Sequence, residues 1–369
     1  MTVPAQAGLF GFAMQAAKVG EGGTFTPTES NLLDWLRVRS VRNAADLIQG
    51  DQLFPPEVGG PINPTGAYKD SAYFGGDFDI IPRMEETLGF LLWGTLGDAS
   101  SATGKYVDGS TVANVNTHIF RQDTSSSYTQ PWMAFRRSIP GAVPATDTKG
   151  ITGFDCKIAQ MTLQIPAAGK LAVNITVMGR DSFQEQPPVW SWANTLEDTQ
   201  STPDAGRGYF KIAGVEYPIT GAQIVINNTL TTPQQEMVVG SFHPDDFIAL
   251  QRSIQIQMVY KWKDPALYNE IYNGGSASQD WSSLPFITDT AGAVFAFEAS
   301  FQAPANIPGT STPYELRLRA NRVVWQTQGP IELAGAQIVQ QAYTCTVLEP
   351  AGGADYFTAS LVNGQTSYA

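Results

Sequence analysis

The sequence predicts a mainly β protein made of two similar β domains, each carrying one short helix, behind an extended N-terminal arm. Three observations support this. Apolar residues beyond residue 100 alternate with polar ones at period two, the pattern of half-buried strands. A stretch dense in Pro, Ser, Thr and Asp, residues 181–208, separates two such regions. The same order of elements occurs on both sides of it. A length of 369 residues fits about two domains, and 43% hydrophobic with 15% charged residues fits a folded chain of low surface charge.

Residues 1–70 are rich in Gly, Pro and loop formers and read as an arm, with a strand near Leu36–Val41. The first β domain spans 71–205. It opens with a strand over Phe74–Ile81 and a helix over Met84–Leu96, with Glu85 and Glu86 in its first turn and Gly97 as its stop. "THIFRQD" and "PWMAFRRSI" are strand-like, and "KIAQMTLQI" and "KLAVNITVM" pair across Pro166–Gly169 as a hairpin. The second domain spans 206–369. A strand over Ser253–Trp262 leads to a helical turn from Pro265, "DPALYNEIYNGG". "AVFAFEASF", "YELRLRAN" and a closing hairpin through "AQIVQQAYTCTVL" follow, which repeats the order of the first half.

The helix is apolar on nearly every side, through Leu88, Leu91, Leu92, Trp93 and Leu96. Its nine residues from Leu88 to Leu96 fall far short of the ~20 that span a membrane, so protein must cover it, as core or as subunit interface. The N-terminal residues place no positive charge ahead of an apolar run, and synthesis and folding in a cytoplasm are expected.

A net charge of −12 argues against a basic grip on phosphates, although an acidic wall can let DNA pass without sticking. Cys156 and Cys345 lie far apart in apolar strand patterns and read as buried thiols. Asn174-Ile175-Thr176 and Asn227-Asn228-Thr229 match the glycosylation sequon by chance. "FHPDDF" could hold a divalent ion through His243, Asp245 and Asp246, but Pro and paired Asp read more simply as a turn. No nucleophile elbow, phosphate loop, dinucleotide fingerprint or H-E-x-x-H helix occurs. Trp190, Trp192, Trp281 and Trp325 read as core or subunit contacts rather than stacking platforms. No catalytic constellation, cofactor site or metal site is expected.

The order of motifs resembles the tail tube proteins of long-tailed, siphovirus-like bacteriophages. A Gly-rich arm precedes a strand and an apolar helix ending in Leu96-Gly97, then an "HxF" strand, His118-Ile119-Phe120. A hairpin runs from Gly153 to Gly179-Arg180, and "FTASLVNGQTSY", residues 357–368, supplies a final strand with a "VN" ending. The resemblance implies two tail-tube-like β-sandwich or barrel domains, each helix packed on its sheet, with Leu88, Leu91, Leu92 and Trp93 in core or interface. It implies a structural virion protein, the major tube subunit, whose rings stack into a hollow tube that conducts DNA. It further implies contact with a tape measure protein, a tail terminator and a distal tail protein, and double-stranded DNA that passes without tight binding. Family members often form rings of six single domains, so a duplicated chain would close as a trimer rather than a hexamer. The alternatives are a carbohydrate-binding adhesin, another β-sandwich virion part such as a distal tail or decoration protein, and a hydrolase with an unrecognised site.

One strand face repeats a chemistry. Gln160, Thr162 and Gln164 alternate with Met161, Leu163 and Ile165, and Asn174 and Thr176 alternate with Val173, Ile175 and Val177. Gln255, Gln257, Gln340, Thr344 and Thr346 extend the set. By itself this is the solvent face of an antiparallel sheet. Under the resemblance it is a channel wall, with acids expected in nearby loops.

Overall fold

A computed structural model describes residues 9–20, 36–37, 46–53, 60, 63–64, 66–85, 87–122, 129–139, 149–185, 201–263, 267, 294–328, 339–349 and 356–368. The protein is mainly β. Its strands are β1 (Leu9–Met14), β2 (Leu36–Arg37), β3 (Asp46–Leu53), β4 (Ala67–Ile80), β5 (Gly97–Lys105), β6 (Thr111–Gln122), β7 (Met133–Ile139), β8 (Lys149–Ile165) and β9 (Ala172–Glu185). They continue as β10 (Asp204–Ile212), β11 (Val215–Glu216), β12 (Ile219–Leu230), β13 (Ala249–Lys261), β14 (Val294–Asn306), β15 (Pro313–Gln328), β16 (Gln340–Val347) and β17 (Phe357–Asn363). Among the described residues one α-helix of more than a turn, α1 (Thr87–Leu96), follows β4, and a short 3-10 helix spans Pro233–Gln235. The segment read as an arm supplies β1, β2 and β3; in β1 Phe10 and Phe12 alternate into the core despite their Gly-rich surroundings.

All 17 described strands belong to one hydrogen-bonded network. Its centre runs β3-β4-β9-β8-β12-β13-β16-β15, every neighbour antiparallel. The two ends of β8 have different neighbours on one side: Lys149–Cys156 lies beside β7, and Gln160–Ile165 lies beside β12. Its other side carries β9 along its length. One contiguous core of Met161, Leu163, Val173, Ile175, Ile224, Ile226, Ile254 and Ile256 fills the apolar face of this sheet.

The order β3-β4-β9-β8 recurs as β12-β13-β16-β15, with irregularities at matching positions. A bulge, in which two residues on one strand oppose one on its partner, falls between Gly50 and Asp51 against β4, and between Thr229 and Leu230 against β13. Another falls between Ile158 and Gln160 against β9, and between Trp325 and Thr327 against β16. A further shift lies at Met133/Phe135 against β8 and at Phe295/Phe297 against β15. β1 flanks β7 as β10 flanks β14. This corrects the element pairing expected from sequence. "AVFAFEASF" stands where "PWMAFRRSI" stands, and "YELRLRANRVVW" where β8 stands. The sequence order slipped by one hairpin because β5–β6 has no described counterpart in the second half.

The helix begins at Thr87 rather than Met84, and no acid lies in its first turn. The carbonyls that would start it are occupied. Asn363 Nδ2 donates to Met84 O at 2.7 Å and Tyr368 Oη to Glu85 O at 3.2 Å. The Glu85 carboxylate instead accepts the Gly364 amide at 3.1 Å. Gly97 ends the helix with φ of +101°, a left-handed conformation that favours glycine. The second expected helix lies outside the described residues apart from Leu267, which is helical and buried.

Candidate channel-facing surface

Strand alternation and register place the sequence-selected polar residues together on one face, opposite the core. Gln160 is opposite Thr176, which is opposite Asp77; Thr162 is opposite Asn174, which is opposite Asp79. On the other side of β8 the rows continue into the second half of the chain. Gln164 meets Gln223, then Gln257, then Thr344, while Thr162 meets Val225, then Gln255, then Thr346. Gln160 meets Asn227, then Ser253. The face is therefore one surface across the β8–β12 junction.

Its chemistry is neutral, with carboxylates at one side. Asn174 Nδ2 donates to Asp79 Oδ1 at 2.8 Å, and Gln160 Nε2 to Thr162 Oγ1 at 3.4 Å. Thr162 is only 4% exposed, packed among the longer amides, while Gln164 and Gln257 stand in solvent. No residue in these rows is a cation; Lys261 ends β13 on the same side. The acids expected in loops sit on β4 as Asp77 and Asp79, inside the sheet. Such a surface offers donors and acceptors to water and, apart from Lys261 opposite Gln340 at the end of β13, no positive charge to hold a phosphate.

Behind the sheet, Leu88, Leu91 and Leu92 are fully buried in the chain's own core, and Trp93 packs against it half-buried. The helix contacts β5, β6 and β8. Its C-terminal carbonyls, unpaired within any helix, converge on side chains from both halves. Gln130 Nε2 donates to Gly94 O at 3.1 Å and Ile158 O at 3.0 Å. Asn228 Nδ2 donates to Thr95 O at 3.0 Å. The Arg252 guanidinium reaches Leu96 O and Thr95 O, each at 3.0 Å, and Asn228 Oδ1 at 2.5 Å. A cation at this end also suits the helix dipole. Sequence reading missed Arg252 and Gln130. Asn228 drew notice only as the middle residue of a sequon whose acceptor is Asn227; its side chain is buried and its amide is occupied.

A family model described as phage tail tube protein matches residues 7–346. The chain belongs to the phage tail tube protein family. Comparison with curated proteins found no match.

Two of the motifs that carried the resemblance, the HxF strand and the VN ending, meet at one place in this tail tube protein. His118 Nε2 lies 3.0 Å from Asn363 Oδ1 and 2.9 Å from Gln365 O, and its Nδ1 lies 2.7 Å from Ser101 Oγ. Two acceptors at Nε2 assign the proton there, with Ser101 donating to Nδ1. Burial pushes the His118 pKa down, against smaller opposing effects of Asn363 and Gln365. The Tyr368 ring packs edge-on against His118 and Phe90, and Gly89 leaves the room it needs: a Cβ there would sit 2.2 Å from the ring.

The other candidates have separate partners. His243 Nδ1 contacts Ala72 O at 2.9 Å and Asp181 at 3.4 Å, Asp245 pairs with Lys18, and Asp246 with Lys157. The three do not converge, and the segment is a loop that ties the second half of the chain to the first. Lys157 also donates to Phe247 O at 2.7 Å and lies over the Trp132 ring. Cys156 and Cys345 are free and buried, and burial raises both thiol pKa values. Among the described residues no group of three metal-ligating side chains occurs, and no helix is long and apolar enough to cross a membrane. The family is that of a structural phage tail component, which places the protein in the virion.

Proposed function

We propose that this protein is the major tail tube subunit, stacking as rings into a hollow tube that conducts double-stranded DNA to the host. The observation that supports the reading most is the polar face, continuous across the β8–β12 junction. Gln160, Thr162, Gln164, Asn174 and Thr176 would line the lumen, with Asp77 and Asp79 beside them. DNA passing a lysine-lined wall would form phosphate contacts that must break at each advance; a neutral and acidic wall forms none. The chain would comprise two tube domains divided near residue 205, the first taking in β1 and β3 from the segment 1–70 that reads as an arm in the sequence, so that three copies close a pseudo-sixfold ring. Subunits would be made in the host cytoplasm and assemble with a tape measure protein, a tail terminator and a distal tail protein, with no enzymatic step.

The test is the double variant Thr162→Lys with Gln164→Lys. Lysine stems can extend past the neighbouring amides without disturbing the core. Tubes are expected to assemble normally while DNA ejection from the assembled phage slows, more so at low salt. Normal ejection at low salt by tubes carrying both lysines contradicts the lining assignment.

A further inference from the structure

Resting on the tube reading above, the repeated registers identify how one copy meets the next. Within the chain, the first repeat ends in the open side of β8 and the second begins with β12, and these two strands pair, Gln160 against Asn227 and Met161 against Ile226. β3 is the counterpart of β12, and the last part of β15 is the counterpart of the paired part of β8. Both lack a partner in the described chain on the corresponding side: β3 pairs only with β4, and β15 beyond Val324 pairs only with β16. The matching bulges fix the correspondence residue by residue. Thr327 stands where Gln160 stands, each directly after its bulge opposite Thr344 or Thr176. Ile48 stands where Asn227 stands, two residues before the bulges at Gly50 and Thr229.

We infer that β3 of one copy docks antiparallel on the end of β15 of the next, with Ile48 opposite Thr327 and Leu47 opposite Gln328, reproducing the in-chain junction. The partner is a second copy of this chain. The pairing carries the polar face across the subunit boundary in step, because Ile48 and Thr327 occupy the same face positions as Asn227 and Gln160. It also converts two open backbone edges into a ladder.

The test is cysteine pairing in the full chain. Ile48→Cys with Thr327→Cys should give covalent multimers under mild oxidation once assembled, since directly opposed antiparallel positions lie about 4.5–5.5 Å apart between Cα atoms. Each single variant should give none beyond the wild-type background. Ile48→Cys with Ser100→Cys probes the rival edge of β5, which pairs only with β6. If the cysteines impair assembly, a reconstruction of wild-type tubes decides by the Cα separation of Ile48 and Thr327 across the subunit boundary. Tubes that link through Ser100, or whose reconstruction separates Ile48 from Thr327 by more than 8 Å, overturn this pairing and leave the tube reading standing. Wild-type protein that stays monomeric at every concentration overturns both.

Discussion

Replacing Arg252 by Met keeps most of the aliphatic stem but removes the guanidinium that closes α1. Two acceptors lose their partner, Leu96 O and Asn228 Oδ1, while Thr95 O retains Asn228 and, at 3.4 Å, Gln130. A hydrogen bond to a charged group contributes about 1.5–3 kcal/mol, and an acceptor left buried without a partner costs about 1–3 kcal/mol. Relief from desolvating the charge offsets part of this, and loss of the dipole interaction adds about 0.3–1 kcal/mol. The net expectation is a loss of about 2–4 kcal/mol. Urea unfolding of the unassembled subunit should show a lower midpoint at unchanged slope. Arg252→Lys should recover part of the loss, having the charge but not the planar fork. A change below about 0.5 kcal/mol for Arg252→Met would refute the view that this side chain fastens the second half of the chain to the helix of the first.

Leu92→Ala should destabilise by about 2–5 kcal/mol in the same assay, because the side chain is fully buried; a loss below 1 kcal/mol would mean the helix is not core. Gly89→Ala should cost about 1–3 kcal/mol by displacing the Tyr368 ring, and removing residues 364–369 should abolish that added penalty in a double-mutant cycle. Acidification should weaken the fold through His118. Its folded pKa lies below its unfolded value, so the unfolded chain binds the extra proton first and stability falls as pH drops through the unfolded pKa, about 6.5. His118→Gln should flatten the stability profile between about pH 7 and 5; an unchanged slope contradicts the assignment.

Much of this architecture was legible because burial imposes period two wherever one face of a strand meets a core. "KIAQMTLQI" announces both the apolar set Met161, Leu163, Ile165 and the polar set beside it. The motifs at Gly97, His118 and Asn363 were also visible, although nothing in the sequence said that the latter two join at the C-terminal tail. The N-terminal strands were hidden because the segments around them are rich in Gly and Pro, while only two phenylalanines, Phe10 and Phe12, anchor β1. The repeat was visible as an order of elements but not as a register. A bulge is one added residue, and Ala159 and Gln326 share no chemistry that would flag them as equivalent. The helix clamp escaped for another reason: Arg252 acts on carbonyls more than 150 positions away, and any residue type could supply a carbonyl.

The central claim is that the polar sheet face lines a tube closed by three copies. A three-dimensional reconstruction of assembled tubes by electron cryomicroscopy tests it directly. The expected result is a hollow tube with threefold rings that approximate sixfold symmetry, and Gln160, Thr162, Gln164, Asn174 and Thr176 facing the lumen. Rings of six identical chains, or those five side chains facing the outer solvent, would contradict it.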